Sequence, residues 1–224
     1  MLPASTLPLG AADCEIVGGG WFVQPINAWS SLAYAAVGIV LIASTSQAPR
    51  SDRTLRVAFG VLMVATGIGS LLYHGPQPAA AGFAHDITFL VMLWFLILMN
   101  PASAYGISRR HAWIALASVT AAASGVLIAS PGSTNVLTGI SIVALITSDL
   151  LLHRIGGING RWYAAALILF GASLVFNVLG RTETATCDPD ALVQFHALWH
   201  VLSATALGAY YVATTVPRDQ EPTP

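Results

Sequence analysis

Seven stretches of about twenty residues, apolar and nearly free of charge, follow one another along this chain. In hydrocarbon only a helix or a closed barrel satisfies its own backbone. About 20 apolar residues is also the length at which a helix crosses a bilayer. The stretches lie at about 26–46, 54–73, 80–100, 111–130, 134–152, 161–180 and 192–214, with short links rich in Pro, Gly, Ser and Arg. The reading is an all-α fold, a seven-transmembrane helix bundle forming a single integral membrane domain over residues 1–224. Composition agrees. Charged residues are 8% of the chain, against about 25% in a soluble domain. Mean hydropathy is +0.71. Lysine is absent and the formal net charge is −1, which argues against nucleic acid as a partner. The first 25 residues lack a basic segment followed by an apolar one, so no cleavable signal peptide is expected.

The arginines set the expected orientation. Arg50, Arg53 and Arg56 flank the first link, Arg109 and Arg110 lie in the third, Arg154 and Arg161 in the fifth, and Arg218 in the tail. All fall on one side of seven spans; only Arg181 falls on the other. Positive charge collects on the cytoplasmic side. The N-terminus is therefore expected outside and the C-terminus in the cytoplasm, in a multi-pass protein of a bacterial inner membrane. Trp29, Trp113 and Trp162 sit near span ends, as an interfacial aromatic belt would.

Polar residues at membrane depth carry the functional signal. His196 and His200 are four residues apart in the last span, and so share one helix face. That spacing gives a metal two imidazoles; a hydrogen-bonded histidine pair between helices is the plainer alternative. With the seven-span topology, His74 ends the second span and Ser70 lies one turn below it. His85 and Asp86 open the third. These groups reach similar depth in the outer leaflet. Three histidines and an open position form a catalytic zinc arrangement, with the site toward the exterior side. Ala197 stands where HExxH enzymes carry a glutamate base. A base must then come from another helix, and Asp86 is placed for it, if it is not simply a helix-start carboxylate. Asp149, His111 and His153 sit beside arginines at inner span ends and are assigned no chemistry. Gly67 and Gly69 allow close helix approach and space beside Ser70. Asn177 is expected to hydrogen-bond between helices. Cys14 and Cys187 both fall outside, where a bridge or two free thiols are possible.

Taken together, Gly-x-Gly-Ser-x-x-x-His (Gly67 to His74), Asp86 opening the next span, and Gln-Phe-His-x-x-Trp-His-x-Leu (Gln194 to Leu202) resemble the alkaline ceramidases. These belong to a superfamily of seven-span membrane hydrolases that includes the adiponectin-type receptors and Per1-like proteins. Asp13 to Glu15 and Asn27 before Ser31-Leu32 are similar to that family's N-terminal segment. The resemblance implies His74, His196 and His200 as zinc ligands, with Ser70 beside them and Asp86 as the catalytic aspartate. It implies a Cys14–Cys187 disulfide and a possible calcium site at Asp13, Glu15 and Asn27. Gln24 stands where a glutamate of that calcium site would be expected, and the His74–Asp86 gap is a residue longer than the family pattern.

The function expected is a zinc-dependent intramembrane lipid amide hydrolase cleaving an N-acyl sphingoid or related lipid amide. Its partners would be a membrane lipid substrate and the bilayer. The alternative is a non-enzymatic receptor or scaffold with a structural metal site, which a fourth ligand such as His85 would favour. A transporter is poorly supported, since no matched pair of broken helices is visible. Oligomeric state is not legible.

Overall fold

A computed structural model describes residues 8–47, 50–154 and 158–215. Seven α-helices follow in order: α1 (Pro25–Ser44), α2 (Arg50–His74), α3 (Ala81–Ala104), α4 (Arg109–Ala129), α5 (Thr134–Arg154), α6 (Gly160–Leu179) and α7 (Phe195–Thr215). Each matches one expected stretch within a few residues. Arg218 and the chain ends lie outside the described residues.

Six helices, α1 to α6, are long and apolar enough to cross a membrane, and the protein is a multi-pass integral membrane protein. The seventh stretch is a helix as expected, but it is not among those six. Its two histidines, two tyrosines, one Ser and three Thr dilute its apolar character. Packing explains the dilution. α7 lies between α1 and α6 and buries residues from His196 to Ala213 on several faces. A helix largely covered by protein needs little lipid-facing surface, which here includes Val201, and can carry polar side chains that find partners.

The other neighbours are α1 on α2, α2 on α3, and α3 on α4 and α5. α5 rests on α3 rather than closely on α6, which leaves a seam beside α7. The two glycines of α2 act by size. A Cβ on Gly67 would lie 2.8 Å from the Ala35 amide nitrogen of α1, and one on Gly69 would lie 2.8 Å from the Ala84 carbonyl of α3. Their absence of side chain lets three helices converge at the Ser70–His74 turn.

The N-terminal segment closes this end. Gln24 N donates to His74 O at 2.9 Å and Cys14 N to Gly180 O at 2.7 Å. Asp13 and Arg181 form an antiparallel bridge. Cys14 and Cys187 are disulfide-bonded, with Cα atoms 5.4 Å apart. The segment before α1 is thus tied to the end of α2 and to the loop leading into α7. That loop ends later than expected: α7 begins at Phe195 rather than near 192, so His196 stands in its first turn.

Candidate metal centre

His74, His196 and His200 are buried and form a group able to hold a metal ion, each offering one ligand nitrogen within 4.8 Å of the others. Among the described residues this is the one such group of His, Cys, Asp and Glu. The two α7 histidines share a face because they are one turn apart. His74 reaches them because the two α2 glycines draw its helix in.

The hydrogen bonds fix which nitrogen is free. Gln24 Nε2 donates to Gly10 O (3.0 Å) and Glu15 O (2.7 Å), which orients the amide. Its Oε1, 2.7 Å from His74 Nδ1, can only accept, so Nδ1 carries the proton. His74 Nε2 is then a bare lone pair, buried and without a protein partner. Ser30 Oγ donates to Asn27 O (2.9 Å) and lies 2.9 Å from His200 Nδ1, which places that proton on Nδ1 as well. Asp13 Oδ1 lies 3.2 Å from His196 Nδ1, off hydrogen-bond alignment. All three histidines therefore meet an outer oxygen from one stretch, residues 13–30. Metal-ligating histidines are held in this way, through the ring nitrogen that does not bind the ion. An orphaned buried nitrogen beside two more imidazoles fits a metal and fits a merely hydrogen-bonded pair poorly.

These partners yield a sharp expectation. Gln24→Leu keeps the bulk but removes the acceptor for His74. Metal affinity, measured by competition with a chelator, should fall about 10–100-fold. Unchanged affinity would mean that His74 is oriented without Gln24.

The remaining expected residues divide. Ser70 Oγ is 2.8 Å from Ser31 Oγ and 3.4 Å from His200 Nε2, so it borders the histidines. Asp86 lines the same cavity but faces other groups: His85 Nδ1 is 2.8 Å from its Oδ1, and Thr134 Oγ1 donates to its Oδ2. His85, turned to Asp86, is not a fourth member of the histidine group. The residues of the possible calcium site have these surroundings. The two oxygens of Glu15 accept the Ile26 and Asn27 amides at 2.7 Å each, capping α1. Asp13 pairs with Arg181 at 3.4 Å. Burial pushes its carboxyl up to about 6 against the pull of that guanidinium. Asn27 is fully buried with neither side-chain atom hydrogen-bonded.

A cavity of about 1010 Å³ opens from the histidines. It runs past Ser70, Asp86 and Trp199 to Ile142 of α5 and Leu174 of α6, the two helices that flank the seam. Asn177, expected to bridge helices, makes no hydrogen bond among the described residues and lines this cavity instead. His111 and His153 are exposed. Asp149, placed by its sequence neighbours at a charged helix end, is buried and accepts from Tyr210 Oη at 2.6 Å. Gln24, Ser30 and Thr134 were not read as site residues, because their roles depend on contacts between distant elements. No protein-family model matches this chain, and no match is found among the curated proteins.

Proposed function

We propose that the protein is a zinc-dependent lipid amide hydrolase of the alkaline ceramidase type, cleaving an N-acyl sphingoid or related lipid amide within the membrane. The observation that carries this reading is the unpartnered His74 Nε2 beside two buried imidazoles at the head of a cavity that reaches lipid-facing helices. Three histidines and an open position suit zinc. When bound, zinc supplies Lewis acidity that activates water and polarises a carbonyl.

The chain's own residues supply the rest. The seam between α5 and α6 gives an amphiphile a sideways route to the histidines. Ser70 can turn its hydroxyl from Ser31 toward the developing oxyanion. Asp86 takes the proton from the attacking water and passes it to the leaving amine, with His85 and Thr134 holding its carboxylate. Activity of the purified, metal-loaded protein on a panel of N-acyl sphingoid lipids is the direct test. Retained metal with no turnover across the panel would put the receptor or scaffold reading in its place.

The arginine distribution supports α7 as a seventh span and the histidine end as the exterior face of a bacterial inner membrane. Both cysteines then face an oxidising compartment, in keeping with their bond. A membrane-impermeant thiol reagent on intact cells should label the protein only after reduction. Labelling that requires permeabilisation would reverse the orientation.

A further inference from the structure

The end of the bundle opposite the histidines holds a second cavity. Arg56 and His74 are both on α2, eighteen positions apart, or about 27 Å at 1.5 Å per residue. Around Arg56 lies a space of about 310 Å³ between α2, α3, α5 and α7. Its walls are apolar: Phe59, Phe95, Leu96 and Met99. Its one charged lining residue is Arg56.

The guanidinium of Arg56 rests against an aromatic ring and has no carboxylate partner among the described residues. Its central carbon sits 5.6 Å from the centre of the Tyr211 ring. Its Nε is buried without a hydrogen-bond partner, and no carboxylate lies at ion-pair distance among the described residues. The buried acid of this end does not serve it. Asp149 accepts from Tyr210, whose oxygen in turn accepts from Asn100 at 2.8 Å. A buried donor without an acceptor is costly, and the planar guanidinium matches phosphate oxygens.

We propose that this cavity binds the phosphodiester of an anionic membrane lipid. Arg56 donates to a phosphate oxygen, Ser103 and Asn100 border the headgroup, and the apolar walls receive the first carbons of an acyl chain. Two features favour a lipid over a free anion. The lining is mostly apolar. Arg53, Arg109, Arg110 and Arg161 stand at the starts of α2, α4 and α6 and Arg154 at the end of α5, which for successive up-and-down helices is one end of the bundle, and such basic clusters draw anionic headgroups. The site is remote from the histidines and does not depend on the hydrolase reading.

The test is lipid retention. Purified protein in detergent is equilibrated with equal amounts of phosphatidylglycerol and phosphatidylcholine, and bound lipid is read by native mass spectrometry. The wild type should retain phosphatidylglycerol by about fivefold or more. Arg56→Gln should bring the ratio near one, while Arg53→Gln, outside the cavity, should leave most of the preference. Ser103→Glu places a carboxylate at the exposed rim. It should abolish the preference with Arg56 in place, which keeps the test open if Arg56→Gln does not fold. A wild-type ratio near one, or equal ratios in wild type and both cavity variants, overturns the proposal. Displacement of phosphatidylglycerol by millimolar inorganic phosphate overturns the lipid assignment.

Discussion

Alanine at any one of His74, His196 or His200 is expected to empty the metal site, taking the protein from about one metal ion per chain to near none by elemental analysis. The histidines are the one converging group of His, Cys, Asp and Glu donors among the described residues, and the nearest carboxylate, Asp13, lies beside the outer nitrogen of His196 and is paired with Arg181. Two imidazoles fall short of the three protein ligands that catalytic zinc sites use. The loss should differ in its side effects. His200 also meets Ser30 and Ser70 and lies edge-on to Tyr34, with ring centres 6.1 Å apart. His200→Ala should therefore loosen α1 against α7 as well. His74→Ala releases the Gln24 amide, which has two other bonds to hold it. His111→Ala and His153→Ala remove exposed rings and should keep full metal content. Equal metal in the wild type and all three ligand variants would return the cluster to a hydrogen-bonded group.

Much of this fold was legible because a membrane imposes one strong rule. Each apolar stretch of bilayer length had to be a helix, and all seven are. The limit appears at α7. A hydropathy pattern reports contact with lipid, whereas α7 is covered by protein over much of its surface, so it falls below the apolar threshold that the other six pass although it packs between α1 and α6. The i, i+4 histidines were legible because a helix fixes their relation locally. His74 joined them only through topology, which placed three helix ends at one depth. The outer partners were not legible. Gln24 was read only as standing where a glutamate of a calcium site would be expected, and nothing local says that its amide meets His74, fifty residues away. Asp13 and Glu15 were read as part of a possible calcium site, and their own partners were not legible: one faces a histidine and an arginine, the other caps a helix. Asp149 was read beside His153 and Arg154 near a span end; its partner in space, the Tyr210 hydroxyl, was not legible for the same reason.

The second large effect is expected at Asp86. Asp86→Asn should retain near-normal metal and lose lipid amide hydrolysis by on the order of 10²–10⁴. The carboxylate is not among the converging ligands, so the metal does not need it. It lines the same cavity as the histidines and Ser70, so a substrate carbonyl held there comes within its range. Asparagine keeps the shape and one acceptor oxygen, which can still meet His85 or Thr134. What it cannot do is take a proton. Ala197 provides no substitute on α7, and the carboxylates of Asp13 and Glu15 are engaged with Arg181 and the start of α1. His85 is the one other basic group beside Asp86. The comparison variant is therefore His85→Gln, which keeps a hydrogen-bonding side chain and leaves the carboxylate. If Asp86 is the base, His85→Gln should cost far less than Asp86→Asn, with metal content unchanged in both. If His85→Gln is the more damaging, the proton passes through the imidazole and Asp86 only orients it. Full turnover in Asp86→Asn removes the aspartate from the mechanism, and the proposed proton path with it.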